Sequence, residues 1–334
     1  MIGQDALEVE REKLAILRVL SSFDRPVGSK IISRRLKSEF GIGLSERAIR
    51  YHLKLMDEQG LTSKVSGRAG RIITTHGLEE LNDAIVIDKI GFVIDRIEVL
   101  AFKTTFDPLQ MEGMVPANIS LIPEKSLKAA LKAMAPAFKA GLGVSEKVAL
   151  ASRGEAIGDT IVPRGYFGLA TVCSIIVNGS LLKTGVPMDS RFGGLLQIRE
   201  HKPWRFTDLV EYAGSSLDPS EVFIAGRRTN ITGVTKDGNG KILANFREVP
   251  AVCLPLVNEV IERLSRAGVK GVVLIGEPGE SVCGIPVSPN KAGILLYGGL
   301  NPVAMAVEAG IEVKSKAMSS VLDFKELKSF WDIV

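Results

Sequence analysis

The sequence predicts an α+β protein in two parts, an N-terminal winged helix-turn-helix followed by a mixed α+β regulatory domain that contains itself twice. Three observations predict it. Residues 45–58, S-E-R-A-I-R-Y-H-L-K-L-M-D-E, set an apolar stripe (Ile49, Leu53, Met56) against a face carrying Arg47, Arg50, Tyr51 and Lys54, as a helix must if it anchors on one side and reads a groove on the other. From Ile97 onward this periodicity gives way to short apolar runs between Gly/Pro-rich loops, the texture of mixed sheet and helix. Within that stretch, G-V-P-M-D-S-R-F-G-G-L-L at 185–196 aligns without a gap on G-I-P-V-S-P-N-K-A-G-I-L at 284–295, the mark of an internal repeat.

The elements follow in order. A first helix over about Ala6–Phe23 puts Leu14, Leu17 and Leu20 on one stripe and ends before Pro26. Ser29 opens a second, with Ile32, Leu36 and Phe40 inward; Gly41 ends it and Gly43 completes a tight G-I-G-L turn. Ser45 then N-caps the basic helix. Leu61–Val65 and Ile72–Thr75 read as two short strands around the tip S-G-R-A-G-R. A connecting helix starts at T-H-G-L-E-E-L and carries through to about Arg96. These boundaries give a DNA-binding domain over 1–84, a connector over 85–96, and an effector-binding regulatory and dimerisation domain over 97–334.

In the third region, strand pairs are expected at Glu98–Thr105 with Ala117–Ile122, and at Glu221–Arg227 with Lys241–Arg247, the second pair joined by D-G-N-G. Helices follow at about Lys125–Lys139 and Leu254–Ala267, entered through Ile122-Pro123 and Val249-Pro250, and β runs come next at Leu169–Val177 and Val272–Ile275. The repeating unit reads β-β-α-β-β, twice.

Charge is local. The chain carries a formal net charge of +4, yet residues 25–76 hold eleven Lys and Arg against four Asp and Glu, so that segment is +7 and the rest −3, as expected where phosphate is met. The three cysteines have no C-x-x-C spacing, so neither a disulfide framework nor a zinc site is called for and a reducing cytoplasm fits. The N-terminus has no charged-then-apolar leader, and no apolar run approaches the roughly 18 residues of a membrane span. A soluble chain without cofactor or metal is the expectation.

On the basic helix, Arg47, Arg50 and Tyr51 project from the first two turns toward base edges, while Lys54, Arg34, Arg35, Lys64, Arg68 and Arg71 are placed to meet phosphate or the adjacent minor groove. His52 falls nearer the buried stripe. For the regulatory domain, the loop G-D-T-I-V-P-R-G-Y-F-G offers Arg164; a second cluster offers Thr184, Ser190, Arg191, Gly193 and Gly194; its counterpart offers Ser288, Asn290, Lys291 and Gly293. Glycine lets backbone N–H groups approach a carboxylate and an arginine fork can hold it, so an anionic small molecule suits these residues. The glycines could equally just turn the chain between strands. Catalytic signals are weaker: His201 stands alone, Cys173 sits in an apolar run, and G-E-P-G-E-S at 276–281 lacks the G-K-[ST] ending of a phosphate loop. The alternative to a regulator is a metabolic enzyme on a small anionic substrate fused to a DNA-binding module, with Arg164 and Arg191 holding substrate and Cys173 or His201 doing chemistry. A domain that mainly docks another subunit is a third reading.

Six segments resemble the archaeal nitrogen-regulation repressor family NrpR: A-I-R-Y-H-L (48–53), T-H-G-L-E-E-L (75–81), I-G-F-V-I-D-R-I (90–97), G-D-T-I-V-P-R-G-Y-F-G (158–168), T-G-V-P-M-D-S-R-F-G-G (184–194) and C-G-I-P-V-S-P-N-K-A-G-I-L-L-Y-G-G-L-N-P (283–302). The resemblance implies a non-enzymatic repressor of nitrogen-fixation and ammonium-assimilation genes, relieved by 2-oxoglutarate. A homodimer is the expected assembly, and two recognition helices spaced by its twofold would favour an inverted-repeat operator. Longer members carry two regulatory domains in tandem, whereas this chain has room for one, which raises a second regulatory polypeptide as a further partner.

Overall fold

A computed structural model describes residues 4–23, 25–65, 70–83 and 92–334, in two compact units, Met1–Lys89 and Ile90–Val334. In the first, α1 (Gln4–Ser21), α2 (Ser29–Phe40) and α3 (Glu46–Glu58) pack around Leu17, Leu20, Ile32, Leu36, Ile49, Leu53 and Met56, each at most 1% exposed. Gly41 takes the left-handed conformation at φ +67°, and the Ile42 N–H closes on Leu36 O at 3.0 Å, which stops α2 and turns the chain into α3. Strands β1 (Thr62–Lys64) and β2 (Arg71–Ile73) form the antiparallel wing. Asp57 at the end of α3 fixes its base, accepting from Thr62 Oγ1 at 2.6 Å and Arg71 Nε at 2.7 Å. α4 (Thr75–Asp83) follows. The connector expected over 85–96 lies outside the described residues as far as 91, and 92–96 open the next helix.

The second unit holds two five-stranded sheets. After α5 (Phe92–Lys103), the chain runs β3 (Met114–Pro123), α6 (Leu127–Lys139), β4 (Lys147–Ala151), a small hairpin β5–β6 (Ala156–Ile157, Thr160–Ile161), β7 (Tyr166–Val172), α7 (Ile175–Lys183), β8 (Asp189–Arg199) and β9 (Lys202–Glu211). It continues through α8 (Pro219–Ala225), α9 (Ile231–Asp237), β10 (Gly240–Pro250), α10 (Leu254–Arg266), β11 (Val272–Ile275), β12 (Lys291–Tyr297), α11 (Asn301–Glu308), β13 (Lys314–Asp323) and β14 (Lys328–Ser329). The sheet orders are β13-β3-β7-β4-β14 and β11-β12-β10-β8-β9. Matching β3 to β10, β4 to β11, β7 to β12 and β8 to β13 superimposes the two orders. Each half therefore gives its last strand to the other half's sheet, since β8 pairs with β10 and β13 with β3.

The duplication is thus present, but its unit is β-α-β-β-α-β and not β-β-α-β-β. Glu98–Thr105 is not a strand: Val93, Ile97, Leu100 and Ala101 are buried at helical spacing along α5. Glu221–Arg227 is not a strand either, because Asp218 caps α8 by accepting from Ser220 N and Glu221 N, with Pro219 at its first turn. D-G-N-G ends α9 through Gly238 at φ +71° instead of closing a hairpin. The run expected over Leu169–Val177 stops at Val172, and α7 begins at Ile175. The two G-[VI]-P loops are not equivalents, since one leads into β8 and the other into β12. They converge because both strands flank β10.

Candidate DNA-binding face and effector pocket

Ser45 starts α3 by accepting from Ala48 N at 3.2 Å. One side of α3 is sealed by Ile49, Leu53 and Met56, and His52 packs inward with Nε2 3.0 Å from Glu12. The opposite side leaves Arg47, Arg50, Tyr51 and Lys54 exposed, Tyr51 by 62%. Arg34 and Lys64 are exposed as well. Three of the expected phosphate contacts have carboxylate neighbours: Lys54 lies 3.8 Å from Glu58, Arg35 lies 3.0 Å from Glu39 and over the Phe23 ring, and Arg71 is held by Asp57 as the wing's anchor. Arg68 lies outside the described residues.

In the regulatory unit the expected effector residues split up. Arg191 and Lys291 do meet, but on Glu248: Arg191 Nη1 donates to Glu248 Oε2 at 2.9 Å, and Lys291 Nζ donates to the same oxygen at 3.0 Å and to Asp189 at 3.1 Å. Hydrogen bonding to Glu248, with Asp189 second, raises the Lys291 pKa. Gly193 and Gly194 do not turn the chain between strands. They lie inside β8, where a Cβ would stand 2.7 Å from Tyr212 Oη or 2.3 Å from Asp208 O, so they are packing glycines. Thr184 ends α7 by donating to Leu181 O. Arg164 and Asn290 are exposed in turns before β7 and β12. Only Ser190 reaches a buried polar network.

That network centres on Arg247 of β10, 1% exposed, which the sequence reading missed. Its Nη1 donates to Ser190 Oγ at 2.5 Å, its Nη2 to Ser174 Oγ at 3.3 Å, and its Nε has no partner. Among the described residues no carboxylate lies within ion-pair distance of it. Burial lowers the Arg247 pKa, and Tyr212, Cys173 and Asp218 act against that. Asn245, one residue pair along, accepts from Tyr212 Oη at 2.5 Å and donates to Ser174 at 3.1 Å. These groups line a cavity of about 20 Å³ with Asn118, Gly298, Gly299, Ala317 and Met318. A neighbouring cleft of about 380 Å³ shares Asp218, Ala317 and Met318 and adds Arg96, Lys316 and the carboxylate of Glu221. Between the two, β13 breaks register between Lys316 and Ser320, and Met318 is held at φ +48°, a conformation costing about 1–3 kcal/mol. In the first half the position paired with β13 is Ser120, facing Ser315 at 3.1 Å, where the second half has Arg247 facing Ser190. A charged residue amid the apolar strand A-N-F-R-E-V-P was the signal available in sequence.

The residues of the enzymatic alternative do not assemble. Cys173 is buried and its thiol is pushed up to about 11 by that burial. His201 sits at the tip of the β8–β9 hairpin at φ +62°, its N–H on Gly238 O. Among the described residues no cluster of His, Cys, Asp and Glu could hold a metal, and no helix is long and apolar enough to cross a membrane.

Comparison with known proteins agrees with both units. The family described as NrpR regulatory domains NRD1 and 2 matches residues 90–329, and the ribonuclease R winged-helix domain family matches residues 14–81. A global nitrogen regulator NrpRI from Methanosarcina mazei is 36% identical over 96% of this chain and 98% of its own length. Global nitrogen regulators NrpR from Methanocaldococcus jannaschii and Methanococcus maripaludis are 31% and 30% identical, and the chain spans 55% and 54% of their lengths. The crystal structure of the nitrogen repressor-like protein MJ0159 from Methanococcus jannaschii shares 31% identity at a TM-score of 0.61, over 71% of this chain and 98% of its own. With a winged helix ahead of one such regulatory domain, the chain belongs to the NrpR family and is a regulator, not an enzyme.

Proposed function

We propose that the chain is a DNA-binding repressor of nitrogen-assimilation and nitrogen-fixation genes, and that an anionic effector, 2-oxoglutarate, releases it by binding at Arg247. Arg47, Arg50 and Tyr51 read base edges in the major groove, with Arg34, Lys54 and Lys64 on phosphate. Two copies about a twofold axis present two such helices to an inverted repeat.

The observation that carries the effector reading is the buried guanidinium with only hydroxyl partners. A buried charge is costly unless paired, so a carboxylate arriving beside Arg247 gains far more than it would at the surface. A dicarboxylate is favoured because Lys316 lies across the shared wall of Asp218, Ala317 and Met318. At about 20 Å³ the cavity admits no such ligand as it stands, so binding has to widen it, and the strained β13 bulge in its wall is the segment we assign to that movement. That requirement couples occupancy to conformation. Arg191 and Lys291, satisfied by Glu248, act at the rim of Ser190 and not on the ligand.

The test is a thermal-shift titration of the whole chain with 2-oxoglutarate, glutarate and 2-oxobutyrate. A ligand that prefers the native state raises apparent stability, by about 2.7 kcal/mol at a hundredfold excess over Kd. The proposal expects 2-oxoglutarate to act at the lowest concentration; no shift with any of the three would refute it.

A further inference from the structure

We propose that the cleft between α5, α7 and the adjoining ends of β8 and β10 is a second small-molecule site, taking a ligand with a hydrogen-bond-donating head, a primary ammonium or amide N–H, on a short apolar body. The cleft measures about 660 Å³, a size typical of ligand sites. Ile94, Ile97, Ala101, Leu182, Met188 and Val249 make its walls mainly apolar. Its polar groups are mainly acceptors, with Lys291 and Ser190 as the other polar lining residues. Asn178, 5% exposed, donates Nδ2 to Ser190 at 3.0 Å and leaves Oδ1 buried with no partner. Glu248, 2% exposed, Asp189 and Glu98 also line the cleft, against Lys291 as the single lining cation among the described residues.

Both features select the same chemistry. A buried acceptor without a donor is destabilising, and because Oδ1 is closed to solvent in the unliganded protein, a ligand N–H removes that cost only as the Asn178 side chain shifts toward the cleft. Glu98, Asp189 and Glu248 outnumber Lys291 and the Arg191 that pairs with Glu248 by one, and this small negative excess favours an ammonium head over a dicarboxylate. The site is therefore complementary to a different ligand from the one proposed at Arg247. The two lie on opposite sides of one hydroxyl, since Ser190 Oγ accepts from Asn178 on the cleft side and from Arg247 on the buried side. Occupancy of either can move Ser190, so the two ligands influence each other's affinity reciprocally.

Full-length protein titrated with L-leucinamide, which offers an ammonium, amide N–H groups and an isobutyl body, tests the site by calorimetry and thermal shift. The carboxylate control is 4-methylpentanoate. Saturable binding of L-leucinamide, absent for the carboxylate, is expected. Asn178→Leu should weaken it at least about tenfold, the worth of one hydrogen bond of about 1.4 kcal/mol. That change also strips Ser190 of a donor, so Met188→Trp, which fills the cleft from a half-buried wall and keeps the hydrogen bond, supplies the same test. Equal binding of the carboxylate, no saturable binding of L-leucinamide, or binding unchanged in both variants overturns the proposal. The 2-oxoglutarate titration reads the Arg247 site separately, so failure of one does not mimic failure of the other.

Discussion

Replacing Arg247 by methionine should stabilise the ligand-free protein and abolish its response to 2-oxoglutarate. The guanidinium is 1% exposed and gives two hydrogen bonds, to Ser190 and Ser174, with Nε unpartnered. Removing it orphans neither hydroxyl: Ser190 keeps Asn178 at 3.0 Å and Ser174 keeps Asn245 at 3.1 Å. The usual cost of deleting a buried hydrogen-bonding group, about 1–3 kcal/mol for the partner left behind, therefore largely disappears. What remains is the relief of desolvating a charge, and exchanging buried ions for apolar side chains of similar volume gains about 1–4 kcal/mol in favourable cases. We expect a gain of about 1 kcal/mol or more, which for a unit of this size is a Tm rise of about 2–4 °C or more. Urea unfolding with and without 2-oxoglutarate measures both effects. A variant destabilised by several kcal/mol that still gains stability from 2-oxoglutarate would refute the reasoning, because it would show that Arg247 is paired within the protein and is not the anion's seat.

Other outcomes follow from the same geometry. Arg50→Ala should cost about 1–3 kcal/mol on a selected sequence and relax preference there, whereas Lys64→Ala should weaken all DNA alike and reduce the salt slope by about one; equal losses on selected and random duplexes for both variants would contradict the assignment. Cys173, at 5% exposure and with its thiol pushed up to about 11, should resist iodoacetamide at pH 7.5 while Cys253 and Cys283, both half-buried, are labelled first by mass spectrometry. Burial raises the Asp218 pKa above the ordinary 3.8, so the native chain holds that proton at a pH where the unfolded chain has lost it. Its ionisation thus removes stability as pH rises from the unfolded value through the native one. Asp218→Asn keeps an acceptor for the α8 amides, so its stability relative to the parent should improve from pH 4 toward pH 7; a relative stability independent of pH would show that Asp218 is not shifted upward.

The DNA-binding unit was legible because its signals are local. Ser45, the Gly41 turn and the 3.6-residue stripe of α3 each act within a few residues, and the structure places them as read. In the regulatory unit the helices entered through Pro123 and Pro250 were legible for the same reason. The second half of α5 and α8 were misread as strands because E-V-L-A-F-K-T-T and E-V-F-I-A are rich in β-branched and aromatic residues, while burial along one helical face decided the outcome. The D-P-S-E cap at Asp218 was the overlooked local cue. The exchange of β8 and β13 between halves is a long-range pairing that no periodicity encodes. Arg247 escaped for a related reason: it looks like any polar residue in a strand until β8 and the start of α7 bring Ser190 and Ser174 against it.

The most direct test of the account is an anisotropy titration of the whole chain against a duplex selected from a randomised pool, with and without 2-oxoglutarate. 2-Oxoglutarate is expected to lower affinity for the selected duplex by about 5- to 150-fold, the usual range of allosteric coupling, and the Arg247→Met chain is expected to bind with the same affinity in both conditions. An affinity unchanged by 2-oxoglutarate in the parent chain, or an Arg247→Met chain released as readily as the parent, would contradict it.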